Sequence, residues 1–104
     1  MKRCESWLCA LDPTVSSEIQ KTRPCVIVSP DELNGRLRTV IVAPMTTGSG
    51  FAPFPVAVAF QGKAWLILPE QQRSIDRDQL VKHVGKIGDM TLATLLRTMG
   101  AIFA

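Results

Sequence analysis

The residues best suited to chemistry are Arg23, Thr46 and Thr47, with the acids Glu18 and Glu70. Arg23 stands directly before Pro24. Proline fixes its own φ and pushes the preceding residue towards an extended conformation. Cys25-Val26-Ile27-Val28 follows, and Ser29-Pro30 closes the run. Val and Ile crowd a helix but suit a pleat, so this run predicts a buried strand with Arg23 at its mouth. A guanidinium is a planar fork of donors that never loses its charge, which suits a phosphate. The alternative is an ordinary surface cation beginning a strand, although functional residues favour such junctions. Thr46 and Thr47 follow another apolar run; their hydroxyls can donate to a phosphate or simply close a turn. The set suits phosphodiester chemistry without a metal. Such chemistry needs cations and donors fixed around a phosphate, because charge builds on its oxygens in the transition state.

Other chemistries find less support. The chain has one histidine, His83, so a two-histidine acid–base pair within one subunit is excluded. A lone strand histidine reads as a surface or packing residue. Cys4, Cys9 and Cys25 lack metal-type spacing and read as reduced thiols of a cytosolic protein. Asp76 and Asp78 have the spacing of a helix start, so neither a metal nor a cofactor is expected. No P-loop, Rossmann glycine pattern or nucleophile elbow is present.

The elements that must position these residues are short. The 104 residues, 46% of them hydrophobic, suit one domain with one substantial core. A net charge of +3 is mildly basic and hints at a polyanionic partner. The apolar runs are strand length, too short to cross a bilayer. Met1-Lys2-Arg3-Cys4-Glu5 reaches an acid before any apolar stretch, unlike a signal peptide. Glu5–Leu11 reads as a first strand with Trp7, Cys9 and Leu11 on one face. A polar loop from Val15 to Thr22 carries Glu18, Gln20 and Lys21 towards Arg23. Leu37–Pro44 reads as a third strand, running into Met45-Thr46-Thr47 and the flexible Gly48-Ser49-Gly50. Phe54–Phe60 suits an edge strand beside Pro53 and Pro55. Gln61-Gly62-Lys63 reads as a hairpin turn into Ala64–Leu68. Glu70–Asp76 is polar, with Asp76 able to cap a short helix through Leu80. Val81–Ile87 is a last strand, and Asp89 reads as the cap of a final helix with one apolar face. This pattern predicts a small, strongly curved, mostly antiparallel β barrel with helices attached, of the α+β kind.

In order along the chain, Trp7-Leu8, Leu11-Asp12-Pro13-Thr14, Glu18-Ile19-Gln20-Lys21-Thr22-Arg23-Pro24, Val28-Ser29-Pro30, Ala43-Pro44-Met45-Thr46-Thr47 and Gln72-Arg73-Ser74-Ile75-Asp76 resemble the MazF/PemK (Kid) toxins of bacterial toxin–antitoxin systems. The resemblance implies an SH3-like barrel with a C-terminal helix and a cytoplasmic homodimer. It implies a metal-independent endoribonuclease that cuts single-stranded mRNA at a short sequence. It also implies an antitoxin partner whose flexible acidic tail covers the RNA groove. By position, Arg23 matches the family's catalytic arginine and Thr46 its catalytic threonine. Glu18 falls in the loop that shapes the active site and is the candidate base. Gln20, Lys21, Thr47, Gly48, Ser49, Glu70 and Gln72 are the RNA-binding candidates, and Glu70 falls where some members carry a functional acid. Leu68 stands where one member has a catalytic arginine. Cys4 stands where the resemblance leads one to expect glycine, and Ser6 where it leads one to expect an apolar residue. Pro69 and Gln72 also depart from the pattern. The runner-up, a gyrase poison of the CcdB kind, uses a Trp-containing C-terminal tripeptide; Ile102-Phe103-Ala104 lacks Trp. A catalytically weakened RNA-binding barrel is the third alternative.

Overall fold

A computed structural model describes residues 1–11, 22–48 and 52–103. In chain order they form β1 (Glu5–Ala10), β2 (Thr22–Ile27), α1 (Asp31–Asn34), β3 (Thr39–Thr46), β4 (Val56–Phe60), β5 (Lys63–Ile67), β6 (Arg73–Asp76), β7 (Leu80–Lys86) and α2 (Asp89–Ile102). Single 3₁₀ turns at Pro69–Gln71 and Arg77–Gln79 flank β6. The strands form one antiparallel sheet in the order β4-β5-β3-β2-β1-β7, with β6 also on β3. The result is the mostly-β curled half-barrel with a C-terminal helix that the sequence implies.

β3 is the strand on which the others are laid. β2 runs along one side of it; β6 takes Thr39–Val42 on the other side, and β5 takes Met45 and Thr46. Pro44 sits where β3 changes partner. Its carbonyl accepts from the Leu68 N–H at 2.9 Å, so its backbone faces that gap. A residue without an N–H is tolerated there because no ladder donor is required.

Each side of the sheet is covered. α2 lays Leu95, with Leu92 and Met99 at its margin, against Val26, Ala43, Met45, Val56 and Ile67. The opposite face encloses Cys9, Leu11, Cys25, Ile27, Val40, Val42 and Ile75, with Trp7 packed beside them. β3 is therefore apolar on both faces, as strands covered on both sides are. Trp7, Cys9 and Leu11 do share one face, and all three cysteines are free thiols. β4 is an edge strand, and Gln61 and Gly62, both at positive φ, turn it into β5.

Some local expectations give way. β3 begins and ends two residues later than the apolar run suggests, because Met45 and Thr46 pair with β5. Arg73–Asp76 is a strand, since the open edge of β3 supplies partners that its own composition does not advertise. Asp76 caps through a capping box with Gln79, but over one 3₁₀ turn only, and Leu80 already belongs to β7. Asp89 is the first helical residue of α2; Gly88 takes the N-cap position, with no side-chain cap.

Candidate active site

Arg23 is exposed at the start of β2, the mouth the Arg-Pro step predicts. Register supplies its neighbour. Cys25 faces Pro44, and Pro44 points its backbone away from β2, so this is a non-hydrogen-bonded pair. The β2–β3 ladder runs from Cys25 to Ile27; the same register carried two residues further would set Arg23 opposite Thr46. Side chains of such pairs share a face, with Cβ atoms about 4.5–5.5 Å apart. On its other side Arg23 faces Cys9, and Thr46 faces Leu66 of β5. Each is held by a strand ladder of its own, Arg23 on β1 and Thr46 on β5, and the β2–β3 register aims the two towards one end of the sheet.

Thr46 is half-buried, and Thr47 and Gly48 are exposed just beyond it. The Gly48 N–H donates to Thr46 Oγ1 at 2.9 Å. The hydroxyl therefore has an acceptor site filled, and among the described residues its own proton has no acceptor. A Cβ on Gly48 would approach Thr46 Oγ1 to 3.1 Å, so glycine is what lets this turn close. Arg73 was not foreseen as a site cation. It stands exposed on β6 opposite Val42, on the Cys25 face, and both Arg23 and Arg73 act electrostatically on that thiol. Even so, the Cys25 thiol is pushed up, first by its hydrogen bond with Cys9 and then by burial. It donates to the Arg23 carbonyl at 3.6 Å and is no nucleophile.

Glu70 and Gln72 lie at the Pro69–Gln71 turn, beside Pro44 and packed towards α2. Glu70 Oε1 and Gln72 Nε2 are buried without a hydrogen-bond partner among the described residues. His83 stacks on Trp7 with centroids 5.1 Å apart, the packing role expected of it. Glu18, Gln20, Lys21 and Ser49 lie outside the described residues. Among the described residues, no three His, Cys, Asp or Glu side chains converge as metal ligands would.

Residues 2–103 match the family described as PemK-like, MazF-like toxin of type II toxin-antitoxin system. The chain belongs to this family. Over 52 residues it is 48% identical to Endoribonuclease PemK of Escherichia coli, covering 50% of this chain and 39% of that protein. It is 31% identical over 105 residues to Endoribonuclease MazF9 of Mycobacterium tuberculosis, covering 91% of this chain and 89% of the relative. In structure it resembles MazF in the MazE-MazF crystal structure from Deinococcus radiodurans, with a TM-score of 0.83 at 22% identity, over 99% of this chain and 95% of that one. The structural likeness concerns the PemK/MazF fold; the named sequence relatives are endoribonucleases. Among the described residues no helix is long and apolar enough to cross a membrane.

Proposed function

We propose that residues 1–104 form one toxin domain that cuts single-stranded mRNA at a short sequence, without a metal. The observation that carries this reading is the Arg23–Thr46 pairing implied by the β2–β3 register. Along the RNA, a ribose 2′-OH attacks its own 3′ phosphate. The new O–P bond forms as the bond to the 5′ oxygen of the next nucleotide breaks. The products are a 2′,3′-cyclic phosphate (or its opened 3′-phosphate) and a 5′-OH. Arg23 neutralises the phosphorane oxygens and is the candidate to protonate the departing 5′ oxygen; its high pKa makes it a poor base. Thr46, its hydroxyl held by Gly48, donates its free proton to a phosphate oxygen and fixes the phosphorus. Glu18 is the candidate for accepting the 2′-OH proton. Gln20, Lys21, Thr47, Gly48, Ser49, Glu70 and Gln72 contact the RNA, and the two loops around Glu18 and Ser49 read its bases.

The partners follow the same chemistry. The family's name and the MazE-MazF neighbour support a cognate antitoxin, an acidic segment that competes for the cationic face around Arg23. The chain is a cytoplasmic homodimer at micromolar concentration. A monomer mass by sedimentation at that concentration refutes the dimer.

The test of the cleavage reading is incubation with a defined RNA in EDTA, followed by analysis of the new ends. Cleavage that leaves cyclic phosphate and 5′-OH is expected. Intact RNA, or cleavage only on adding a divalent cation, overturns the reading.

A further inference from the structure

Cys9 and Cys25 lack metal-type spacing in the sequence, but strand register brings them together. Cys9 faces Arg23 and Cys25 faces Trp7, so the two cysteines sit one pleat apart on adjacent strands and on one face. Both are fully buried in the cluster that holds Ile27, Val42 and Ile75. Each sulfur is within hydrogen-bond reach of the other. Each also has a backbone carbonyl in reach, that of Trp7 at 3.5 Å from Cys9 Sγ and that of Arg23 at 3.6 Å from Cys25 Sγ. The proposed cleavage makes no use of this pair.

Two chemistries can join two such thiols. A disulfide needs sulfurs about 2.05 Å apart and Cα atoms within about 7 Å. Diagonal neighbours of an antiparallel pair lie about 7–8 Å apart, so a disulfide here requires the backbone to move. An ion between the sulfurs relaxes that limit, because two metal–sulfur bonds of about 2.3 Å span about 4.6 Å. That is close to the span of a thiol–thiol hydrogen bond, so little has to move. Ligand number then selects the ion. Zinc takes four ligands, and among the described residues no third Cys, His, Asp or Glu joins the pair. Calcium and magnesium take oxygen ligands. Thiolates select soft ions, and among these copper(I) is satisfied by two sulfurs in line.

We propose that Cys9 and Cys25 form a two-sulfur site for a single copper(I) ion. On binding, two S–H bonds break, two Cu–S bonds form, and two protons pass to solvent; nothing is oxidised or reduced. A coordinated thiol is deprotonated outright, even where burial keeps its proton on in the free protein. The complex keeps one negative charge, and a buried charge needs a counter-charge. Arg23 and Arg73 are the cations whose fields reach Cys25. Entry is through the end of the ladder: Cys9 is the last residue but one of β1, where strand pairing frays most readily. The ion takes no part in the cleavage chemistry, so the site holds or fails independently of that reading.

The test is anaerobic titration of the reduced, intact chain with copper(I) carried by excess bicinchoninate, a coloured competing chelator, with native mass spectrometry to count ions. One ion retained per chain is expected, and silver(I) should give the same count. Cys9→Ser and Cys25→Ser should each abolish retention, while Cys4→Ser should keep it. Cys9→Ala and Cys25→Ala repeat the test without burying a hydroxyl, and thermal unfolding of the metal-free variants identifies those that fold. Copper(I) should raise the Tm of the parent and leave that of Cys9→Ala unchanged. X-ray absorption of the loaded parent, which needs no variant, should show two sulfurs and no nitrogen at the ion. A folded parent that retains no copper overturns the proposal. So does retention that survives loss of Cys9 or Cys25, that disappears with Cys4, or that zinc matches. Rapid formation of a Cys9–Cys25 disulfide by diamide in the folded chain also overturns it, because the sulfurs then lie closer than the diagonal register permits.

Discussion

Ser29 and Arg23 lie at opposite ends of one strand run, and the β2–β3 pair treats their polar groups in opposite ways. At the Ser29 end everything is closed. The Ser29 hydroxyl donates to Asn34 Oδ1 and accepts from the Ile41 N–H at 3.1 Å. The Asn34 amide donates back to the Ser29 carbonyl at 2.9 Å. Both residues are buried, at 4% and 1% exposure. This knot holds α1 against β3, and burying polar groups is tolerable there because each has its partner. At the Arg23 end the ladder is equally regular, but the groups it carries stay open. Arg23 is exposed, and among the described residues the Thr46 hydroxyl is engaged only as an acceptor. The same strand pair therefore stores stability at one end and presents unfilled hydrogen bonds at the other. Substitutions at the two ends should separate folding from cleavage.

The largest effect expected is on cleavage. Arg23→Lys keeps the charge but loses the fork, and a point charge cannot reproduce two-point contact with a phosphorane. Losing one preorganised transition-state contact costs about 3–4 kcal/mol, or a hundred- to a thousandfold in rate. Single-turnover cleavage in EDTA should fall by at least about a hundredfold in Arg23→Lys and further in Arg23→Ala. Thermal unfolding should move little, since among the described residues the Arg23 side chain is exposed and enters no hydrogen bond or ion pair. A folded Arg23→Ala protein that cuts at the parental rate removes the centre of the proposed mechanism.

The converse holds at the closed end. Asn34→Ala leaves the Ser29 carbonyl and hydroxyl short of partners in a buried site, a loss of about 2–3 kcal/mol. For a domain of this size that lowers Tm by roughly 10 °C or more. Cleavage per folded molecule, measured well below Tm, should be unchanged. Asn34→Ala with parental Tm would mean that the knot contributes nothing and the contrast between the two ends is empty.

Gly48→Ala probes the boundary between those behaviours. Its Cβ would press on Thr46 Oγ1 at 3.1 Å, so the hydroxyl must turn or the loop must shift. A loss of about tenfold in the single-turnover rate is expected, with little change in Tm. The double variant with Thr46→Ala should be no slower than Thr46→Ala alone, because there is then no hydroxyl to misplace. Additive losses would show that Gly48 acts on the RNA directly and not through Thr46.

The sequence made most of the strands legible, because Val26–Val28, Val40–Ala43 and Val56–Phe60 are too β-branched or apolar for anything else. It did not announce β6, whose Arg73-Ser74-Ile75-Asp76 offers one apolar side chain; only the vacant edge of β3 makes it a strand. The proximity of Arg23 and Thr46 was not legible in spacing either. It depends on register between strands, which local pattern does not encode; side-chain chemistry grouped the two, and the family resemblance gave each its catalytic role. Glu18, Gln20, Lys21 and Ser49 remain sequence expectations, outside the described residues. The departures from the family pattern were more telling. Ser6 is fully buried with no partner for its hydroxyl among the described residues, which fits a position where an apolar side chain was expected.

Cys4 gives the smallest expected effect, and it bears on a third region that is neither closed knot nor open site. Its φ is +75°, the left-handed region that glycine enters freely and other residues enter at a cost of about 1–2 kcal/mol. The backbone holds it there: its N–H donates to the Ile27 carbonyl and its carbonyl accepts from the Ile87 N–H, both at 2.9 Å. Cys4→Gly relieves the strain. Against that stand the greater freedom of glycine in the unfolded chain, about 0.5–1 kcal/mol, and the loss of a half-buried thiol packed at the core margin. The balance favours the variant by about 0.5 kcal/mol, a rise of roughly 2–4 °C in Tm. Cys4→Ala is the control, since it loses the same thiol but keeps a Cβ at positive φ. It should melt below the parent while Cys4→Gly melts above it, and neither should change the rate of cleavage. If alanine proves the more stable of the two, strain at this turn does not explain why glycine suits the position.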